Sequence, residues 1–247
     1  MSCSNVCIRA IPPLLLSFLL QVACAQNVDT TKKNIQTVYT NFRGKTVTLK
    51  GGSNYGKMIV LTESSNDSII RQAIQDNEAI DYPSQAVIDS MQKAYDLADG
   101  SQGIERLFFV GKKKAISFIA AGTKYEVDSL ANLQARMDLH EKKMDEPAYD
   151  VHTHGHKLDG EDDPYFAPGP SPTDRRNRNF RDRTEPNAIL TYIKEEIVHT
   201  LDAGNKTSIG KKNYEYIPTI IFYTPNKIIS SQNFFAFKEL VKRHAGD

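Results

Sequence analysis

The stretch YDVHTHGH, residues 149–156, holds three of the six histidines of this 247-residue chain within five consecutive positions. Tyr149 to Val151 has the composition of a strand start, and residues two apart in a strand point to the same face. His152 and His154 would therefore present their imidazoles side by side. Imidazole is a common ligand of zinc and similar divalent ions, so the spacing predicts two neighbouring positions of a metal site.

A second polar segment follows at Ser171-Pro172-Thr173-Asp174. Serine at the cap, proline at the first helical position and aspartate in the first turn are typical of a helix start, which requires no metal. Both interpretations can hold together, because a first-turn Asp174 is held firmly and could turn its carboxylate toward the histidines. Two histidines and one aspartate leave a fourth tetrahedral position open, as catalytic zinc sites do.

His-x-His followed by Ser-x-x-Asp, with an upstream glutamate, resembles the JAMM motif of JAB/MPN-type metalloproteases. The resemblance implies that His152, His154 and Asp174 bind zinc and that Ser171 helps to stabilise an oxyanion. It also implies that an upstream glutamate acts on the attacking water. Two features differ from the family pattern: Gly155 stands where the family usually has proline, and residues 155–170 make the spacing before the serine longer.

Glu105 is the candidate for that general base. It precedes an apolar run, residues 107–110, that follows a predicted helix over residues 85–97, and this order is similar to that of the JAB/MPN fold. A solvated charge at a strand end is the alternative role for Glu105. Glu126 and Glu146 remain rival candidates for the base.

The patterns predict an α/β (α+β) domain with a mixed, twisted sheet and flanking helices, similar to the JAB/MPN (cytidine deaminase-like) core. Residues 85–97 carry apolar side chains at i, i+3, i+4 and i+7, which indicates an amphipathic helix. Residues 128–144 are predicted as another helix, with Leu130, Leu133 and Met137 on its apolar face. Strands are expected at residues 58–61, 107–110, 115–121 and 188–193, with two more on either side of Pro218, and a terminal helix contains the aromatics from Phe234.

Residues 1–25 are predicted to be a secretory signal peptide. Arg9 supplies positive charge, an apolar run follows, and Ala23-Cys24-Ala25 has the pattern of a cleavage site. Acylation of Cys24 as a lipoprotein and an uncleaved anchor are the alternatives. All three cysteines lie in this segment, so residues 26–247, expected to form a single domain, would have no thiol nucleophile and no disulfide.

Removal of the signal would leave 30 basic against 30 acidic residues. A neutral chain has no general positive field to attract nucleic acid, and no membrane span is expected after cleavage. Residues 157–170 are an acidic, proline-containing insert that could form a rim over the site or a solvated excursion. His156 could be an alternate ligand, a neighbour of the ligands or an exposed residue, and the arginines of residues 175–183 could form a basic rim or a solvated face.

The resulting expectation is a secreted or periplasmic zinc-dependent metallopeptidase or isopeptidase that hydrolyses an amide bond in a peptide or protein substrate. Toxin-like or effector-like relatives of the family fit an exported chain. One alternative is a catalytically inactive JAB/MPN-type module that binds a partner. Another is a metal-binding protein of the envelope with no hydrolytic role, in which His156 completes a closed site.

Overall fold

A computed structural model describes residues 36–50, 56–100, 103–123, 126–154, 169–176, 185–197 and 213–244. Its strands are β1 (Gln36–Asn41), β2 (Thr46–Lys50), β3 (Gly56–Val60), β4 (Ala79–Asp81), β5 (Arg106–Gly111), β6 (Ala120–Ala121), β7 (Pro147–Thr153), β8 (Asn187–Ile197), β9 (Asn213–Tyr223) and β10 (Ile228–Asn233). Its helices are α1 (Asp67–Gln75), α2 (Gln85–Gly100), α3 (Ser129–Met137), α4 (Pro172–Arg176) and α5 (Phe234–His244), with a π-helical turn over Asp138–Lys142.

The strands form two mixed sheets. The smaller sheet has the order β2-β1-β3-β4, and the larger has the order β10-β9-β8-β7-β5-β6. In the larger sheet β7 pairs in parallel with β8 and antiparallel with β5. The predicted α+β class, with mixed twisted sheets and flanking helices, is confirmed at this level.

The main core lies on one face of the larger sheet, beneath α2 and α5. The apolar stripe predicted for α2 is buried there, together with β3 and β4 residues of the smaller sheet and the buried aromatics of α5. Phe235 of the same helix is different, because 47% of it is exposed. The opposite face of β5 packs Leu107 and Phe109 against Ala135 and Leu139. This second face is the one that carries the histidines.

The predicted apolar face of residues 128–144 is wrong. Leu130 and Leu133 are 63% and 53% exposed, whereas Ala135 and Leu139 are buried. The α-helix ends at Met137 and continues as a π-helical turn, which has more residues per turn and changes the direction of the side chains that follow. The small Ala135, rather than a leucine, lets the helix approach β5 closely.

Two strand predictions also change, and one strand was missed. Residues 115–121 were expected to form one continuous hairpin strand, but only Ala120–Ala121 forms a strand, β6, and the rest pairs with β5 only through a bridge from Ile116 to Val110. One strand, β9, runs through Pro218 instead of two strands flanking it. Because β10 pairs with β9 only as far as Thr219, β9 lies at the edge of the sheet at Pro218 as far as the described residues show, and proline is tolerated at an edge. The strand β1 had no clear alternating pattern and was not predicted.

Candidate metal centre

His152 and His154 come from the end of β7 and lie on one face of the larger sheet. The two Nε2 atoms are 3.2 Å apart, and both side chains are buried. The His154 N–H donates to the carbonyl of Leu190, so the chain stays attached to β8 for one residue beyond β7. The alternation of a strand therefore places both rings as the sequence predicts, and the neighbouring strand β8 holds their backbone in place.

Asp174 reaches both histidines from α4. Its Oδ1 lies 3.5 Å from His152 Nε2, and its Oδ2 lies 3.2 Å from His154 Nε2. The Ser171 N–H donates to Asp174 Oδ2 at 2.7 Å, and the Asp174 N–H donates to Ser171 Oγ at 3.1 Å. These reciprocal bonds form a capping box that orients the carboxylate. Asp174 thus both takes part in the helix cap and contacts the two histidines.

The three donor groups lie close enough to share one metal ion. Ligand atoms of His152, His154 and Asp174 all lie within 4.8 Å of one another. Bonds of about 2.0 Å in a tetrahedron place neighbouring donors about 3.3 Å apart. The two Nε2 atoms, 3.2 Å apart, match this value, and Asp174 meets the histidines through different oxygens, Oδ1 at 3.5 Å from His152 Nε2 and Oδ2 at 3.2 Å from His154 Nε2. The three side chains could therefore act as ligands of one ion.

Glu105 lies beside this cluster. In the antiparallel pair of β5 with β7, Leu107 is opposite His152, and extension of that register places Glu105 opposite His154. Directly opposite residues point to the same face of a sheet. Glu105 is buried, its N–H donates to the carbonyl of Thr123, and its own carbonyl accepts from the N–H of Gly122. The carboxylate is therefore held on the side of the sheet where the imidazoles project.

Charges in the centre shift the pKa values of its members. Burial alone would raise the pKa of Asp174, but hydrogen bonds to His152 and His154 hold it well below its usual range. Burial lowers the pKa of His152, and hydrogen bonds to Asp150 and Asp174 overcome this effect and raise it to about 10. Burial raises the pKa of Glu105, and the nearby His154 and His152 partly oppose that rise. The carboxylates of Asp150 and Asp174 therefore stabilise a positive charge on the His152 ring that lies between them.

The rival glutamates are placed differently from Glu105. Glu146 precedes β7, at the strand end away from His152, and its exposed carboxylate lies 2.9 Å from His140 Nδ1. The exposed Glu126 contributes to the raised pKa of Glu105. The structure brings Glu105 rather than Glu146 toward the histidines.

Asp150 was not selected from the sequence as a functional residue. Its Oδ1 lies 3.3 Å from His152 Nδ1, and its side chain is 4% exposed. The alternation that selected the histidines could have found it, since Asp150, His152 and His154 are successive residues of one strand face. Asp150 therefore contacts Nδ1 of His152, whereas Nε2 of the same ring faces Asp174.

His156 and residues 157–168 of the insert lie outside the described residues, as does the predicted signal segment 1–25. Of the predicted arginine cluster, only Arg175 and Arg176 are described. Within the described ranges, no helix combines the length and the apolar character needed to cross a bilayer. No protein-family model, no curated protein and no solved structure matches this chain.

Proposed function

We propose that this chain is a zinc-dependent hydrolase of peptide or isopeptide amide bonds, similar to the JAB/MPN-type metalloproteases. The observation that supports the proposal most is the convergence of Asp174 with His152 and His154, whose ligand atoms lie within 4.8 Å of one another. Two histidines and one carboxylate from the protein are typical of a catalytic zinc site with an open position. A zinc ion held there would act as a Lewis acid and lower the pKa of water to about 7.

Glu105 is proposed as the general base. A base works best when its pKa is near the working pH, and burial raises the pKa of this carboxyl. Its position on the same sheet face as His154 lets it take a proton from an attacking water and return it to the leaving amine. The flanking hydrogen bonds to Thr123 and Gly122 keep its backbone in place, which favours a fixed geometry over a solvated charge.

Ser171 is proposed to donate a hydrogen bond to the oxyanion that forms during amide hydrolysis. Its Oγ accepts the Asp174 N–H, and this leaves the hydroxyl's own proton for an acceptor in the site. One such donor typically contributes about 10²–10³ in rate. The same bond that caps α4 therefore also orients the serine oxygen.

The test is the zinc content of the purified protein by elemental analysis, for the parent, His152→Ala, Asp174→Ala and the control His140→Ala. His140 is a suitable control because it is an exposed histidine paired with Glu146. About one zinc per chain in the parent and the control, with loss in the two site variants, is the expected result. Absence of zinc in the parent, or equal zinc in all four proteins, would overturn the proposal.

Hydrolysis is tested separately with a peptide library read by mass spectrometry. Glu105→Gln should keep zinc but lose about 10²–10⁴ in rate, since it removes the base and not a ligand. Zinc binding with no cleavage by the parent of peptides or isopeptide-linked substrates would instead favour a metal-binding protein without hydrolytic activity. Localisation outside the cytoplasm belongs to the same proposal and is tested by fractionation of the cells that make the full chain.

A further inference from the structure

We propose that Asp150 is a positioning residue that orients His152 for metal binding by accepting a hydrogen bond from its Nδ1. This inference rests on the proposed zinc site and adds a residue that acts through one of the ligands. The observation is the 3.3 Å contact between Asp150 Oδ1 and His152 Nδ1, with Nε2 of the same ring turned toward His154 and Asp174.

The two nitrogens of an imidazole have different roles, and the partner of one decides the state of the other. When Nδ1 carries the proton and donates it to a carboxylate, Nε2 presents a lone pair. In His152 the Nε2 atom faces the gap between His154 and Asp174. A carboxylate behind a ligand histidine also makes its ring more basic, and loss of such a partner typically costs about 10–100-fold in metal affinity or activity.

Asp150 is itself held in place from three sides. It pairs with Phe109 of β5, its N–H donates to Asn187 Oδ1 of β8 at 3.1 Å, and its side chain lies on the sheet face that carries the apolar Leu107 and Phe109. Strand pairing and this hydrogen bond limit the movement of the carboxylate. The Tyr223 ring meets the His152 ring edge-on at 6.1 Å and restricts its rotation.

Burial of Asp150 needs a compensating interaction. A carboxylate shielded from water is costly unless it is paired and hydrogen-bonded. A purely structural ion pair would require only that His152 be positively charged. A positioning role requires in addition that Nδ1 carry the proton while Nε2 binds the metal, and this difference can be measured.

The experiment compares the zinc affinity of the full chain with those of Asp150→Ala and Asp150→Asn, by competition with a chromophoric chelator. Asp138→Asn is the control, because Asp138 is a buried carboxylate whose Oδ2 accepts the Phe118 N–H. We expect a loss of about 10–100-fold in Asp150→Ala. A smaller loss is expected in Asp150→Asn, whose amide oxygen can still accept from Nδ1, and no loss in the control.

Histidine-ring ¹⁵N NMR of the zinc-loaded parent and of Asp150→Asn supplies a readout that a structural role would not move. We expect His152 with a proton on Nδ1 in the parent, and a shifted Nδ1 resonance in Asp150→Asn. This measurement also serves if Asp150→Ala does not fold. Parent affinity in both Asp150 variants, or an unchanged Nδ1 resonance, would overturn the inference and leave the zinc site standing, whereas absence of zinc in the parent would overturn both.

Discussion

Glu185 offers a sharp test of the electrostatics in this fold, at a place away from the metal centre. This half-buried residue precedes β8, and its Oε2 accepts the N–H of Asp81, at the end of β4, at 3.1 Å. Its backbone N–H donates to the carbonyl of Ala148 at 3.4 Å, and Lys114 contacts the Asp81 carboxylate. Two carboxylates and one ammonium therefore meet where the smaller sheet adjoins the larger one.

Burial, followed by the charge of Asp81, raises the pKa of Glu185 from 4.5 to about 7, and Lys114 offsets only part of this. The folded protein thus holds this proton more strongly than the unfolded chain does. The stabilisation is fully present below pH 4.5 and is lost as the pH rises through 7. At about 1.4 kcal/mol for each pH unit, ionisation at pH 8 costs at most about 3 kcal/mol, with some reduction because water reaches part of the side chain.

Glu185→Gln removes the ionisation but keeps an oxygen that can accept the Asp81 N–H. We expect the free energy of unfolding, measured in urea, to favour the variant over the parent by about 2 kcal/mol more at pH 8 than at pH 5. Glu239→Gln, an exposed substitution on α5, should leave the pH dependence unchanged. An identical pH dependence in the parent and in Glu185→Gln would refute this reasoning.

Two further predictions concern packing. Gly111→Ala should destabilise the protein by about 1–3 kcal/mol in urea unfolding, because a Cβ there would clash with the Asp145 carboxylate. Gly169→Ala, whose Cβ would make only an ordinary contact, is the control, and equal costs for the two variants would contradict the close approach at Gly111. Leu139→Ala should lower the free energy of unfolding by about 2–5 kcal/mol, because Leu139 is buried. Leu133→Ala should lower it by less than about 0.5 kcal/mol, because Leu133 is 53% exposed. A larger loss in Leu133→Ala than in Leu139→Ala would instead support the apolar face expected from the sequence.

Local patterns predicted those parts of the fold that depend on short-range periodicity. The stripe of α2 is buried as expected, since its residues recur at helical spacing and face one core. The prediction failed for α3, where Ala135 contacts the sheet while Leu130 and Leu133 are exposed. The strand prediction also failed at Pro218. Whether a strand can continue through a proline depends on which neighbouring strands pair with it, and the local sequence does not specify that pairing.

For the candidate site, the sequence by itself determined that His152 and His154 share a strand face and that Ser171 and Asp174 cap a helix, because both features arise within a few residues. Only the tertiary structure decided that the Asp174 carboxylate meets both imidazoles and that Glu105 lies across from His154. It also decided that Asp150 stands behind His152. Strand register and the placement of a distant helix depend on packing between residues far apart in the chain, and no local pattern specifies them.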